Sequence, residues 1–288
     1  MKKENKNPDL LIIGAGPVGC VIAERAAKLK QWTSLIIEKR NHIAGNCYDK
    51  LNSKGVLVHM YGPHYMRFKK KKIFNYVSNF TKWIDGNYIV KSHVDGKLYP
   101  IPINLTTLEK FFKIKFKSKK SAINFIKKKR INIKKIKNSE DFILSKLGRE
   151  IYEKFYKNYT LKQWGIHPKN LDKSIVGRLP IRFDRNPYYV NQKIRVMPKY
   201  GYTRLFQNMI NDKKISVQLK TDFNKVKNKI KPKHATIYTG PPDLYFNFKY
   251  GKLDWRSLNF SFKTHRKKKI QDCVQINYPN VHKFTRKV

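Results

Sequence analysis

The segment Gly14-Ala15-Gly16-Pro17-Val18-Gly19 has the residue types and spacing of a dinucleotide-binding turn. Gly14 permits a tight turn, Gly16 lets the backbone approach a pyrophosphate, and Gly19 lets a helix pack against the preceding strand. The N-terminus of that helix would direct free N–H groups at the phosphates. The motif alone is weak evidence, because glycine-rich turns also occur in other α/β proteins.

An acidic residue strengthens the prediction, since Glu38 follows a second apolar strand at the spacing expected for a ribose-binding carboxylate. A carboxylate there accepts hydrogen bonds from a ribose 2′-hydroxyl and repels a 2′-phosphate, which disfavours NADP. Lys39, Arg40 and a turn at Ala44-Gly45-Asn46 follow. A basic residue followed by a glycine turn resembles flavoproteins of the amine-oxidase-like group, so this extension favours FAD over NAD. His42, between them, is expected to be a solvated loop residue.

These residues need a strand, a helix and a second strand to position them. The spacing predicts a strand over Leu10–Gly14, a helix to about Lys30 and a strand over Ser34–Glu38. Residues 41–104 indicate mixed short strands, residues 105–165 have helical apolar spacing, and residues 180–288 return to short strands and turns. We therefore expect an α/β fold, in which a Rossmann-like FAD-binding domain carries an inserted helical domain and an antiparallel-sheet substrate region. The predicted divisions are residues 1–104, 105–165 and 166–288.

Composition excludes several classes of protein. The chain has 288 residues, 40% of them hydrophobic, so a large core is possible. The three cysteines form no CxxC pair and have no histidine at ligand spacing, which argues against a zinc site or a disulfide scaffold and fits a reducing cytoplasm. No apolar run approaches the ~20 residues of a membrane span. The charged start of the chain is predicted to be a disordered lead-in.

The net charge of +45 raises the question of a nucleic-acid partner. The lysines are spread along the chain, and no zinc finger, aromatic RNA-binding motif or separate basic tail accompanies them. No specific nucleic-acid partner is therefore predicted. The phosphates of a dinucleotide or a nucleotide sugar would benefit from the same positive field.

Beyond the glycine motif, the sequence resembles the UDP-galactopyranose mutase family. The resemblance follows the family's order of motifs through nearly the whole chain. It includes Tyr61-Gly62-Pro63-His64, Asn158-Tyr159-Thr160-Leu161-Lys162-Gln163-Trp164-Gly165, Gly177-Arg178-Leu179-Pro180, Pro198-Lys199-Tyr200-Gly201, Ile237-Tyr238-Thr239-Gly240-Pro241 and Trp255-Arg256-Ser257-Leu258. The family interconverts UDP-galactopyranose and UDP-galactofuranose for surface polysaccharide, and it uses reduced FAD as a nucleophile.

The resemblance also implies site residues. Tyr159, Trp164 and Tyr189 match residues that line the nucleotide-sugar site. Arg178 and Arg286 match two arginines that reach the diphosphate, a task suited to guanidinium groups. The resemblance makes His64, Arg178 and Arg286 the catalytic candidates and implies that His64 lies beside the flavin. The cofactor-binding candidates are Gly14, Gly16, Gly19, Glu38, Lys39, Arg40, Gly45, Asn46 and His64.

Two departures from the family pattern qualify this resemblance. A family histidine near the flavin falls on Arg67, which cannot titrate in the useful range but could act as a fixed cation. The family also continues past Val288 into a segment with flavin contacts. Two interpretations stay open: a truncated or split-gene member whose C-terminal segment is encoded separately, or a degenerate relative. The oligomeric state, including a homo-oligomer, stays open too.

Two other functions remain as alternatives. One is an amine-oxidase-like FAD oxidoreductase, although such enzymes lack the motif from Tyr159 to Gly165. The other is a non-catalytic relative that binds FAD or a nucleotide sugar.

Overall fold

The computed structural model describes residues 7–267 and 269–288, within which most strands and helices are short. The predicted disordered start lies largely in residues 1–6, outside the described residues. The strands are β1 (Leu10–Ile13), β2 (Ser34–Ile37), β3 (Asp49–Leu51), β4 (Leu57–His59), β5 (Met66–Phe68), β6 (Trp83–Asp85), β7 (Val90–Val94), β8 (Lys97–Ile101), β9 (Ile194–Pro198), β10 (Ile215–Gln218), β11 (Ala235–Tyr238), β12 (Gln275–Asn277) and β13 (Arg286–Lys287).

The helices are α1 (Pro17–Lys30), α2 (Lys71–Ser78), α3 (Leu105–Phe112), α4 (Lys119–Lys129), α5 (Ser139–Leu147), α6 (Arg149–Ile151), α7 (Asn158–Trp164), α8 (Ser174–Gly177), α9 (Tyr202–Met209), α10 (Phe223–Val226) and α11 (Pro242–Tyr245). A π-helix over Tyr152–Lys157 joins α6 to α7. None of the described helices is long and apolar enough to cross a bilayer. The chain divides into unit 1, Met1–Gly86 with Ile194–Ser261, and unit 2, Asn87–Lys193 with Phe262–Val288.

Unit 1 is built on a parallel sheet in the order β10-β2-β1-β11. Every residue of β1 and β2 is buried, as expected for parallel strands that are covered on both faces. Small residues of α1, Cys20, Ala23 and Ala27, face this sheet, and the larger Leu205 and Phe206 of α9 fill the same core. The hydrophobic contacts therefore fix the strand ends from which the glycine loop projects.

Unit 1 also contains antiparallel elements. Strands β3 and β4 form a hairpin, and β9 lies between β5 and β6 in a second sheet. The register of that sheet places Arg67 opposite Arg195.

Unit 2 combines a four-stranded sheet in the order β13-β12-β7-β8 with the helices α3 to α8. Strand β12 runs parallel to β7, whereas β13 and β8 are antiparallel to their neighbours. Apolar residues at helical spacing are fully buried in this unit, among them Leu108, Ile126, Ile143 and Leu147. The exposed sides of the same helices carry lysines, among them Lys127, Lys128 and Lys129 of α4.

The predicted fold class is confirmed, including the strand–helix–strand of residues 10–38 and the helices within residues 105–165. The prediction of strands and turns alone after residue 180 is wrong at α9. Tyr202, Leu205, Phe206 and Met209 form a buried stripe at helical spacing, and the helix is capped by a residue from β3. The three-part division at residues 104 and 165 stays a prediction.

Candidate functional site

The three glycines of the loop in unit 1 differ in the space around their Cα atoms. Gly14 has φ of +106°, and a Cβ added there would lie 2.2 Å from the Thr239 hydroxyl oxygen. A Cβ at Gly19 would lie 2.1 Å from the carbonyl oxygen of Gly14, so this glycine allows α1 to approach the loop. A Cβ at Gly16 would meet only the Cα of Gly45, at 3.8 Å. The backbone at Gly16 is therefore open in the way that a pyrophosphate requires.

Glu38 connects the loop to the second strand. Its two carboxylate oxygens accept the backbone N–H groups of Ala15, at 3.0 Å, and of Arg40, at 2.9 Å, while the residue is buried. A carboxylate has about four lone-pair sites, so both oxygens keep acceptor capacity for a ribose hydroxyl. Lys39 is exposed and its ammonium lies 3.3 Å from Asp222.

The turn at Ala44–Asn46 lies directly against the glycine loop. The Ala44 N–H donates to the carbonyl oxygen of Ala15 at 2.8 Å, and a Cβ on Gly45 would lie 3.0 Å from the Cα of Gly16. The guanidinium of Arg40 donates to the Asn46 side-chain oxygen at 3.0 Å. Glu38, Arg40 and the turn at Ala44–Asn46 thus lie together beside the glycine loop.

The same guanidinium lies over the ring of Tyr61, 4.7 Å from its centroid. His42 is buried, stacks on Tyr48 with ring centroids 3.8 Å apart and has a ring nitrogen 2.9 Å from the Tyr61 hydroxyl. The prediction that His42 is a solvated loop residue is therefore wrong. Its ring contacts Tyr48 and Tyr61, which lie six and 19 residues further along the chain, and its position in a loop did not reveal these contacts.

His64 belongs to a cluster that the sequence did not predict. Its backbone N–H donates to a ring nitrogen of His59 at 3.0 Å, and both rings lie against Tyr202. His59 lies 4.0 Å from the carboxylate of Asp49, and burial lowers the pKa of His59 while that carboxylate opposes the effect. Asp49 accepts the Tyr202 N–H at 2.6 Å and so caps α9.

Arg67, on β5 and three residues after His64, is exposed. The side chain of its register partner, Arg195, carries a second positive charge on the same antiparallel pair. This part of unit 1 therefore carries fixed positive charge where the family pattern has a titratable histidine.

Unit 2 brings four of the predicted substrate residues together around one hydroxyl. The guanidinium groups of Arg286 and Arg178 lie close enough to lower the pKa of Tyr159, and the hydroxyl of Tyr189 lies close enough to raise it. Burial raises the pKa of Tyr159, and the two guanidinium groups counteract it. Among residues 7–267 and 269–288, no carboxylate lies within ion-pair distance of Arg178 or Arg286. The site therefore holds positive charge that none of the described acidic side chains neutralises by an ion pair.

Several elements position these groups. Tyr159 is on α7, directly after the π-helix, a type of distortion that is frequent at functional sites. Arg178 follows α8 and is exposed, whereas Arg286 is on β13 and is half-buried. The ring of Tyr189 lies edge-on to Tyr88, with centroids 6.0 Å apart. Trp164 ends α7 and is half-buried.

A buried amide network lies beside this cluster, at Gln275 and Asn277 of β12. The Tyr159 hydroxyl donates to the Asn277 side-chain oxygen at 3.3 Å, and the Gln275 amide donates to the same oxygen at 2.6 Å. Gln275 in turn accepts the Tyr88 hydroxyl at 2.9 Å. The register of β12 and β13 places Asn277 opposite Arg286. The network is neutral, so it fixes the hydroxyl without adding negative charge.

The parallel sheet, the glycine loop and Glu38 define unit 1 as a Rossmann-like nucleotide-binding domain, and the family model of the NAD(P)-binding Rossmann-like domain matches residues 12–80. A second family model, UDP-galactopyranose mutase, matches residues 154–288. A probable UDP-galactopyranose mutase from Klebsiella pneumoniae is 34% identical over 96% of this chain and 71% of its own length. The chain belongs to the UDP-galactopyranose mutase family, as its motifs predicted.

Further relatives show the range of the similarity. A dTDP-fucopyranose mutase from Escherichia coli is 31% identical over 93% of this chain and 72% of its own length. A crystal structure of reduced UDP-galactopyranose mutase has the same fold with a TM-score of 0.56 and 19% identity, over 74% of this chain and 49% of the other. The chain thus spans about half the length of that solved chain.

Proposed function

We propose that this chain binds FAD in unit 1 and a nucleoside-diphosphate sugar in unit 2, and that it interconverts UDP-galactopyranose and UDP-galactofuranose for surface polysaccharide. The observation that carries the proposal is the cluster of Tyr159, Tyr189, Arg178 and Arg286, whose two guanidinium groups have no carboxylate within ion-pair distance in the described part of the chain. Membership of the mutase family supports the same function.

The residues of unit 1 fit FAD. Gly16 leaves room beside its backbone, α1 begins at Pro17 with its N-terminus at the loop, and Glu38 keeps lone pairs for a ribose hydroxyl. Asn46 and Arg40 hold the second turn against the first. When bound in reduced form, FAD supplies the nucleophile of the reaction. The fixed charge of Arg67 would stabilise an anionic form of the cofactor without a change of protonation.

The residues of unit 2 fit a nucleoside diphosphate. Two guanidinium groups can each form charge-assisted hydrogen bonds to phosphate oxygens, which holds the sugar and stabilises the diphosphate as it leaves. The hydroxyls of Tyr159 and Tyr189 offer donors, and Asn277 orients the first of them. Burial keeps Tyr159 protonated, because it raises the pKa of the hydroxyl. Trp164, at the end of the same helix, offers an aromatic surface for a base or sugar.

The direct test incubates the chemically reduced, FAD-loaded chain with UDP-galactofuranose and measures UDP-galactopyranose by chromatography. We expect product only with the reduced protein. Arg178→Ala and Arg286→Ala should each weaken UDP binding about 10- to 100-fold, the cost of losing a charged hydrogen bond. Arg149→Ala, at an exposed arginine that pairs with Glu153, is the matched control and should bind UDP like the wild type. Absence of product from the reduced protein rejects the mutase activity.

The sugar and base are tested in the same assay with dTDP-fucose, because one relative is a dTDP-fucopyranose mutase. Faster turnover of dTDP-fucose than of UDP-galactose would move the proposed substrate while leaving the reaction class unchanged.

The alternatives give different results. An amine-oxidase-like oxidoreductase would reduce its own flavin when substrate is added without oxygen, whereas the proposed mutase requires prior reduction. A non-catalytic relative would bind UDP without turnover. Adding a separately produced C-terminal segment of a relative to the assay tests whether turnover needs residues beyond those of this chain.

A further inference from the structure

Lys162 makes an unusual set of contacts within unit 2. It is on α7, half-buried, and its ammonium group donates to the backbone carbonyl oxygens of Tyr278, of Val281 at 3.3 Å and of His282 at 3.1 Å. An ammonium has three N–H donors and no acceptor. All three contacts go to one loop, so the hydrogen-bonding capacity of Lys162 is committed to holding that loop.

Neighbouring turns of the same helical segment contact the same loop. The Asn158 side-chain amide donates to the side-chain oxygen of Asn280 at 3.1 Å, and the Asn280 amide donates to the carbonyl oxygen of Lys154 at 2.9 Å. Lys154, Asn158 and Lys162 are spaced four residues apart. The loop at 278–282 is thus fastened along the helix, with Lys162 making the most contacts.

This loop connects the two strands that carry the substrate-site groups. Asn277 ends β12 and Arg286 begins β13, and the Tyr278 N–H donates to the Thr285 carbonyl oxygen at 2.9 Å across the pair. Tyr159 is one helical turn before Lys162 on α7. The helix that presents Tyr159 therefore also holds the loop that determines where Arg286 lies.

We propose that Lys162 is a positioning residue: by fastening the loop at 278–282 to α7, it holds Arg286 beside Tyr159 and so completes the diphosphate site. Lys162 itself does not contact the substrate, because its donors are used by the loop. The identity of the ligand rests on the proposed function, whereas the fastening of the loop does not.

The first measurement is UDP affinity of the full chain by calorimetry. Lys162→Met keeps the aliphatic stem and removes the donors, and it should raise the Kd for UDP about tenfold. Lys162→Arg, which keeps donors, should recover part of the loss. Lys169→Met, at an exposed lysine beyond α7, is the matched control and should leave the Kd unchanged. Equal affinity of Lys162→Met and the wild type overturns the proposal.

A double variant separates positioning from general loss of structure. If Lys162 acts through Arg286, then Lys162→Met combined with Arg286→Ala should bind UDP no more weakly than Arg286→Ala alone. Losses that add fully would contradict the proposal, since they would show that Lys162 acts independently of Arg286.

Hydrogen exchange gives a readout without any ligand. The Tyr278 amide, which pairs with Thr285, should exchange at least several-fold faster in Lys162→Met, whereas amides of β7 and β8 should keep their rates. If the wild type fails to bind UDP, the proposed function fails while this measurement still decides the role of Lys162: unchanged exchange at Tyr278 overturns it and faster exchange supports it.

Discussion

Two glycines of the loop are predicted to respond in opposite ways to the same added methyl group. In Gly19→Ala, the Cβ would lie 2.1 Å from the Gly14 carbonyl oxygen and 3.1 Å from the Ile12 side chain. Both are parts of a buried strand and turn that cannot move cheaply. In Gly16→Ala, the nearest atom is the Gly45 Cα at 3.8 Å, and φ of −76° suits any residue.

The magnitudes follow from these contacts. Overpacking of this kind costs about 1–3 kcal/mol, and each kcal/mol lowers the Tm of a chain of this size by about 2–4 °C. Gly19→Ala should therefore lower the Tm by roughly 2–12 °C. Gly16→Ala should leave the Tm unchanged or raise it slightly, since Gly→Ala at a compatible position stabilises by about 0.4–1 kcal/mol. Its methyl group would nevertheless occupy the space beside the proposed pyrophosphate.

The assay measures thermal unfolding of the flavin-free variants and their FAD affinity by flavin fluorescence. We expect Gly16→Ala to lose at least about tenfold in FAD affinity, about 1.4 kcal/mol, at wild-type Tm. Gly19→Ala should lose both stability and affinity. A Gly16→Ala variant with wild-type FAD affinity would refute the assignment of the loop to the cofactor, and an unchanged Tm for Gly19→Ala would refute the packing argument.

Three other variants test the groups around the two sites. Asp49→Ala should destabilise the chain by about 1–2 kcal/mol in urea unfolding, because α9 loses its cap, whereas Asp49→Asn keeps one acceptor and should cost less. The hydrogen bond from Arg185 lowers the pKa of Glu109 below 4.5. The ionised Glu109 therefore stabilises the fold above pH 4.5, and this stabilisation is lost as the pH falls through the lowered pKa. Glu109→Gln should flatten the acid side of a profile of unfolding free energy against pH. Asn277→Asp should weaken UDP binding more than Asn277→Ala does, because a carboxylate opposite Arg286 would compete with phosphate, and calorimetry at two salt concentrations would show it.

The part of the fold that the sequence predicted is the part whose signals are local. Leu10 to Glu38 combines continuous apolar strands, a glycine turn and an alanine-rich helix within one short stretch, and the structure has strand, helix and strand there. The order of the sheet was not predictable in the same way. Strand β10 pairs with β2 from 181 residues further along the chain, and β11 pairs with β1 from 225 residues further along, so only long-range packing determines that pairing.

The cluster around His64 was likewise unpredictable where it depends on residues distant in the sequence. The Gly62-Pro63-His64 turn was visible in the sequence, but its partners were not. Asp49 reaches Tyr202 across 153 positions of the chain, and His59 is linked to both. An aspartate that caps a distant helix carries no local signal, because its acceptor role depends on where that helix begins. The resemblance therefore identified the turn and missed the carboxylate beside it.

The proposed substrate residues of unit 2 raise a different question, which is why such a charged site has amides and not carboxylates beneath it. Arg178 and Arg286 would be stabilised most simply by a carboxylate, but a carboxylate would also neutralise the charge that an anionic ligand needs. Asn277 and Gln275 satisfy the buried hydroxyls of Tyr159 and Tyr88 through neutral hydrogen bonds. Their neutrality leaves both guanidinium groups available for a diphosphate. The resemblance identified the two arginines as candidates. The neutral amides beside them became visible only in the structure, where Tyr159 of α7 donates to Asn277 of β12.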